Sequence, residues 1–163
     1  QFNNEKLVWL NQHYLKLADN GRLAADASER LAQRGVDPEQ GPSLEAVAGL
    51  YKERVATLNE LADAAEAFYI DLHPAPELIA QHLTDAARAA LADLRKRLAT
   101  VEWNKAALSA ALKETLAATG LKMPQVAIPL RVALLGQPQT PSIDAVLEVM
   151  GRDLVLTRLD RHL

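Results

Sequence analysis

The sequence predicts an all-α protein built from two packed helical subdomains. Apolar residues make up 49% of the 163-residue chain, aromatic residues make up only 4%, and Ala and Leu dominate the apolar set. Ala and Leu have high helix propensities, whereas the β-branched and aromatic runs that favour strands are scarce. Apolar residues also recur at helical spacing, as in Leu7, Leu10, Tyr14 and Leu17. We therefore expect helices throughout and no strand.

Polar capping residues and glycines define the predicted helices of the first 70 residues. Gly21 and Gly35 are expected to end helices, because glycine readily takes the left-handed conformation that terminates them. Ser43 is expected to cap the next helix, and Thr57 with Glu60 fits the capping box. The predicted helices run from Asn3 or Asn4 to Asn20, over 22–34, over 43–52 and over 57–69, with a loop over 36–42.

A segment with two prolines predicts the boundary between the subdomains. The segment His73-Pro74-Ala75-Pro76 cannot continue a helix, because residues that precede proline avoid the helical region. We predict a helix over 1–20 that connects from a preceding part, a first subdomain over 21–73 and a second over 74–163. Thr84 and Asn104 are expected to cap helices in the second. The predicted helices there cover 77–83, 84–98, 104–120, 124–134, 142–150 and 152–163.

Composition limits the classes of function. The chain has no cysteine, which excludes disulfides, thiolate catalysis and cysteine-based zinc sites and is consistent with a cytoplasmic protein. No signal peptide is recognisable, and no apolar run approaches the ~18 residues that span a bilayer. We therefore expect no membrane association. The formal net charge of -3 argues against a general affinity for nucleic acid, so any RNA binding must rest on local charge.

No pattern typical of catalysis is present. The histidines lack the spacings that place metal ligands on one helical face, and we expect surface or packing roles for all four: His13, His73, His82 and His162. Asp63 and Glu66 are neighbours on a helix and could form an acid/base pair, but a solvated face is the commoner arrangement. No glycine-rich phosphate loop or activated nucleophile occurs. We expect no chemistry, no metal and no cofactor in this chain.

The segment from Lys122 to Ile143 is the candidate RNA-binding region. It contains Arg131 and no acidic residue, and it concentrates four prolines and a glycine: Pro124, Pro129, Gly136, Pro138 and Pro141. Prolines interrupt helices and leave backbone groups without intrahelical partners. Such groups beside an arginine can bind the exposed bases of an RNA loop. The alternative is a structural corner in which Arg131 forms a salt bridge, and the pattern alone leaves both open.

The two tryptophans have a similar pair of interpretations. Trp9 and Trp103 could stack on bases, since every base offers a flat face. Trp9 lies in an apolar helical pattern and Trp103 follows Val101 at a helix junction. We therefore favour core packing for both.

Four segments, in order along the chain, resemble bacterial glutamyl-tRNA synthetases. Near the start, Phe2 to Tyr14 is similar to the family's Phe-x-x-x-Lys-Leu-x-Trp-x-Asn-x-x-Tyr helix. Leu50 to Leu58 resembles its Leu-x-Lys-Glu-Arg-x-x-Thr-Leu motif. Gly120 to Gly136 resembles Gly-Leu-Lys followed by Pro-Leu-Arg-x-Ala-Leu-Thr-Gly, with a Thr-Pro turn at Thr140. The ending, Leu147 to Leu163, is similar to the family's Leu-Gly-Lys-Glu-Arg…Arg-Leu terminus.

The resemblance implies an α-helical cage that receives the anticodon loop of tRNA-Glu. In the family, the arginine at the position of Arg54 lies near the third anticodon base and is associated with enzymes that charge only tRNA-Glu. The arginine at Arg131 contacts an anticodon base, and the turn at Thr140, Pro141 and Ile143 contacts neighbouring bases. An arginine offers a rigid fork of donors suited to base acceptors. Lys122 is a possible supporting RNA contact.

The resemblance also implies an enzyme whose catalytic part lies outside this chain. The family's ATP-binding signatures are absent here, so ATP and Mg²⁺ are expected in a domain that precedes Gln1, and the chain alone is expected to be inactive. The expected parent protein is a cytoplasmic, monomeric glutamate–tRNA ligase. The alternative is an all-helical protein-interaction module without an RNA role, which the acidic net charge slightly favours.

Overall fold

The structure, a computed structural model, describes residues 13–163. Those residues form helices joined by turns and contain no strand, so the predicted all-α class is confirmed. The chain divides into two compact units, residues 1–71 and 72–163. The helices of the first unit are α1 over residues 13–17, α2 at Asn20–Gln33, α3 at Leu44–Tyr51 and α4 at Leu58–Glu66, with one 3-10 turn at Pro38–Gln40. Those of the second are α5 at Pro76–His82, α6 at Asp85–Leu98, α7 at Lys105–Thr119, α8 at Met123–Leu135, α9 at Ile143–Met150 and α10 at Arg152–Asp160.

The first unit has a small aliphatic core. Helix α2 packs against both α3 and α4. The centre of the core consists of fully buried small and aliphatic side chains: Leu15, Leu23, Ala27, Ala48 and Leu61. Leu15 comes from α1, so the described end of the segment 1–20 contributes to this core. The connecting role predicted for residues 1–20 stays a prediction.

Helix α8 is the central helix of the second unit. It contacts α5, α6, α7 and α10, and eight of its thirteen residues are buried. Because α8 is apolar on nearly all sides, neighbouring helices must cover most of its surface. A side chain on α8 that reaches solvent, such as Arg131, is therefore held on a well-packed support.

Most of the predicted helix caps are confirmed. The side-chain oxygens of four predicted caps accept backbone N–H groups three residues later: Ser43, Thr57, Thr84 and Asn104. Glycines at the ends of α7 and α8 take positive φ, at 72° for Gly120 and 71° for Gly136. Gly35, with φ of 75°, likewise follows the end of α2.

The predicted end of the first helix at Gly21 is wrong. Gly21 lies inside α2, which begins at Asn20, and Asp19 caps that helix by accepting the N–H of Gly21 at 3.4 Å. Because the Asp19 carboxylate caps a helix that begins at Asn20, Gly21 belongs to the first turn of α2 and does not end the preceding helix. Leu17, placed on the predicted apolar face, is 72% exposed. The predicted cap at Asn3 or Asn4 lies outside the described residues.

The predicted helix over 124–134 is confirmed by α8, and the interruption that proline was expected to cause does not occur. Pro124 lies in the first turn, where an N–H has no intrahelical partner, and Pro129 lies inside the continuous helix. Pro129 cannot supply an N–H to the carbonyl of Gln125, and Gln125 is an exposed residue. The irregular backbone is therefore confined to residues 136–142, a shorter stretch than the predicted region.

Candidate functional site

Arg131 and Thr140 meet where α8 ends. The Nε of Arg131 donates a hydrogen bond to Oγ1 of Thr140 at 3.0 Å, and Thr140 donates from Oγ1 to the carbonyl of Pro141 at 2.8 Å. Gly136 ends α8 in the left-handed conformation, and residues 136–142 return the chain toward Arg131. The structure thus brings together three of the predicted site residues. Thr140 and Pro141 follow Arg131 by nine and ten positions in the sequence.

The partner of Arg131 is neutral. Within the described part of the chain, no carboxylate lies within salt-bridge distance of Arg131, and its two terminal guanidinium nitrogens form no hydrogen bond. The predicted alternative of a salt-bridged corner is therefore not what the structure contains. Both Arg131 and Thr140 are partly exposed. This arrangement fixes the Nε side of the guanidinium and leaves its charge unneutralised, with donors suited to base or phosphate acceptors.

Pro141 and Ile143, the other two predicted residues of the turn, are buried. Ile143 is only 7% exposed, so its side chain belongs mainly to the core that supports α9. Pro141 is buried as well, whereas Ser142 between them is exposed. The predicted contacts of Pro141 and Ile143 with neighbouring bases are thus limited to small exposed surfaces.

Asp144 is an acidic group close to the turn and is held by its own helix end. Burial raises the pKa of its carboxyl, but hydrogen bonds from the Ser142 hydroxyl and the Ala145 N–H, with the charge of Lys105, bring the pKa below its usual value. A negative charge is favourable at a helix N-terminus. Asp144 therefore stays ionised near neutral pH and stabilises the start of α9.

The other two predicted cations, Lys122 and Arg54, are at the start of α8 and in the first unit. Lys122 is exposed at the start of α8, nine residues before Arg131, which corresponds to about 14 Å along the helix axis. Arg54 belongs to the first unit, where it is exposed in the turn between α3 and α4. Burial raises the pKa of Tyr51 to about 12, and the charge of Arg54 acts in the opposite direction.

The two units differ in charge. Residues 1–71 contain seven Lys and Arg against twelve Asp and Glu, a formal charge of -5, whereas residues 72–163 contain eleven against nine, a formal charge of +2. The overall acidity of the chain therefore comes from the first unit. The second unit, which carries Arg131, has the sign of charge expected for contact with RNA phosphates.

The contacts of Arg158 and of Trp103 were not predicted from the sequence. Arg158 is 3% exposed, and its Nη1 donates to the carbonyl of Leu134 at 2.6 Å. Trp103 donates from Nε1 to the carbonyl of Leu147 in α9 at 2.9 Å, and the guanidinium of Arg152 lies 5.3 Å from its ring centre. These contacts agree with the packing role that we favour for Trp103. Trp9 lies outside the described residues.

The carboxylate pair considered for acid/base chemistry, Asp63 and Glu66, forms ion pairs instead. Asp63 and Glu66 both bind the guanidinium of Arg34, at 2.7 and 3.2 Å. Burial, followed by the charges of Arg88 and Arg161, lowers the pKa of His162. Within residues 13–163, no group of three or more His, Cys, Asp or Glu side chains could hold a metal ion. None of the helices in that range is both long and apolar enough to cross a membrane.

Known proteins resemble this chain along its whole length. The model of the anticodon binding domain family matches residues 22–163. Glutamate–tRNA ligases from Azoarcus sp. (strain BH72) and Aromatoleum aromaticum are 71% and 66% identical over all 163 residues, which correspond to 35% of each of those proteins. The chain thus spans about a third of the length of these relatives.

The fold also matches solved structures. A crystal structure of a glutamate tRNA ligase from Elizabethkingia meningosepticum, in complex with its amino acid, superposes with a TM-score of 0.84 and 21% sequence identity. The match covers 99% of this chain and 32% of that one. At this identity the likeness concerns the fold alone, and the family model carries the assignment. Since that model covers most of the chain, this protein belongs to the anticodon-binding domain family.

Proposed function

We propose that this chain recognises the anticodon of tRNA-Glu as the C-terminal part of a glutamate–tRNA ligase. The observation that carries the proposal is the Arg131–Thr140 pair. The guanidinium of Arg131 is held on α8 beside the turn that carries Thr140, has no carboxylate partner, and belongs to the unit with a positive formal charge. A planar fork of donors can bond two acceptors of one base edge, which gives discrimination between bases. The identity of 71% with a glutamate–tRNA ligase supports tRNA-Glu as the partner.

In the proposed protein, recognition and chemistry are divided. ATP, Mg²⁺ and glutamate bind a catalytic domain outside this chain, and the present residues supply affinity for tRNA and choice of anticodon. Arg54 in the first unit and Thr140, Pro141 and Ile143 in the second make further anticodon contacts, and Lys122 supports binding through phosphate. The parent enzyme is proposed to be a cytoplasmic monomer, and this chain alone to be catalytically inactive.

The test compares two substitutions in the full-length protein. Arg131→Ala should cost roughly 1–3 kcal/mol of discrimination between tRNA-Glu and the same tRNA with one anticodon base replaced. Lys122→Ala should weaken binding of both RNAs by a similar factor, because a phosphate contact carries no base information. Equilibrium binding of the four protein–RNA pairs, with wild type as the reference, measures both effects.

Two results would contradict the proposal. One is a wild-type protein that binds the two tRNAs equally well, and the other is an Arg131→Ala variant that keeps the full wild-type discrimination. A salt titration separates the rival, a protein-interaction module without an RNA role. RNA affinity should fall steeply as salt rises, because phosphate contacts release counterions. An affinity insensitive to salt would favour the rival.

A further inference from the structure

Arg158 is a buried arginine that contacts the helix carrying Arg131. It lies on α10, is 3% exposed, and its Nη1 donates a hydrogen bond to the carbonyl of Leu134 in the last turn of α8. A guanidinium is costly to bury unless it is hydrogen-bonded, so a buried arginine requires well-placed acceptors. The negative end of the α8 dipole lies at this turn and favours a cation there.

The sequence explains why Leu134 needs a donor from outside its helix. In a continuing helix, the N–H of the residue four positions later would bond the Leu134 carbonyl, but that residue is Pro138, which has no N–H. The N–H of Gly136 bonds the carbonyl of Val132, at 2.9 Å. Leu134 is fully buried, unlike Gln125, so water does not easily replace the missing donor.

We propose that Arg158 is a positioning residue for anticodon recognition, an inference that rests on the proposed function. By bonding the last turn of α8, it fixes the point and direction at which residues 136–142 leave the helix. That segment contains Thr140, whose Oγ1 lies 3.0 Å from the Nε of Arg131. Arg158 is buried and does not itself contact RNA. Without Arg158, the Arg131–Thr140 pair should be held less firmly, and discrimination between tRNAs that differ in the anticodon should therefore fall.

The experiment uses the full-length protein and the two tRNAs that differ at one anticodon base. Arg158→Met keeps the length of the side chain but removes the donors, and we expect it to reduce the ratio of the two dissociation constants roughly tenfold. Arg158→Lys keeps a charged donor and should reduce the ratio less. The matched control is Arg97→Met, which removes ion pairs to Asp93 and Glu114 on α6 and α7 and should leave the ratio unchanged.

A double-mutant cycle separates positioning from general destabilisation. In an Arg131→Ala background, Arg158→Met should cause no further loss of discrimination, because both changes act through the same pair. The inference is overturned if folded Arg158 variants keep the wild-type ratio, or lose affinity for both tRNAs equally, while Arg131→Ala still lowers the ratio. If Arg158→Met does not fold, Arg158→Lys decides by the same criteria. A wild-type protein without discrimination would instead overturn the proposed function.

Discussion

At the scale of single residues, the site depends on how Arg131 is held. Its Nε is fixed by the Thr140 hydroxyl, which in turn donates to the Pro141 carbonyl. A side chain with one donor already bonded has fewer rotamers to lose when it binds a base, which favours tight and selective binding. Gly136 makes this geometry possible, because its φ of 71° turns the chain sharply at the end of α8.

Substitutions of Gly136 and Gly120 should distinguish the loss of stability caused by backbone strain from the loss of anticodon discrimination. Gly136→Ala places a Cβ at positive φ, and we expect it to cost about 1–2 kcal/mol of unfolding free energy. Gly120→Ala is the matched control, because Gly120 ends α7 with nearly the same φ, 72°. Both variants should lose similar stability in urea unfolding, but only Gly136→Ala should reduce anticodon discrimination. Equal discrimination in the two variants would contradict the role given to the turn.

At this scale, partners that are close in the chain were predictable from the sequence. Arg131, Thr140 and Pro141 were predicted to belong to one site, and the structure brings them together across the turn, although their roles in binding bases stay predictions. The bonds from Arg158 to Leu134 and from Trp103 to Leu147 were not predictable, because they join residues 24 and 44 positions apart. Helical periodicity reports neighbours within about one turn, and such distant pairs depend on how whole helices pack. Pro138 is the one local signal, since it leaves Leu134 without a donor.

At the scale of elements, two hydrogen bonds tie α9 to the segment around Trp103, and one ring contact ties the start of α10 to the same segment. Trp103 donates to the Leu147 carbonyl, the Lys105 N–H donates to Glu148 Oε2 at 3.0 Å, and the ring of Trp103 faces Arg152 at the start of α10. Helix α9 begins directly after the turn that carries Thr140 and Pro141. The position of the candidate site thus depends on both helices that flank it.

A substitution of Trp103 distinguishes packing from base stacking. Trp103→Phe keeps an aromatic face but removes the bond to Leu147, so we expect a loss of about 1 kcal/mol in unfolding free energy with unchanged affinity for tRNA. Chemical unfolding and RNA binding of the same variant measure the two quantities. Trp103→Ala extends the comparison, since it removes any stacking face. A drop in RNA affinity without a drop in stability would show that Trp103 stacks on a base.

Helix boundaries were predictable where a side chain satisfies the first turn. Thr57, Thr84 and Asn104 each accept a backbone N–H at the predicted cap, because this requirement is local. For Pro129 the sequence supports two expectations, a helix over 124–134 and an interruption by proline, and local rules do not decide between them. Whether a helix continues through proline depends on packing of its other residues and on solvent access to the carbonyl one turn earlier, and both are tertiary properties.

At the scale of the whole molecule, the two units differ in chemistry as well as in charge. All three tyrosines lie in residues 1–71, and two of them are partly buried. Burial raises the pKa of Tyr51 to about 12 and that of Tyr69, whose hydroxyl donates to the Pro42 carbonyl at 2.8 Å, also to about 12. Alkaline pH should therefore act through tyrosine on the first unit only.

The first unit is expected to lose stability as pH rises from about 10 to about 12. Tyrosines in the unfolded chain ionise near pH 10, whereas Tyr51 and Tyr69 in the folded chain resist ionisation until about 12, so their contribution to stability is complete below pH ~10 and is lost above it. Allowing for the solvent exposure of both rings, we expect a loss on the order of 1–2 kcal/mol. Tyr51→Phe removes one titrating hydroxyl and keeps the ring that packs edge-on against Phe68, so about half of the pH dependence should disappear.

Urea unfolding across this pH range measures the loss of stability, and amide exchange should locate that loss in α2 and not in α7. An unchanged pH dependence in Tyr51→Phe would show that lysine titration, not buried tyrosine, weakens the fold.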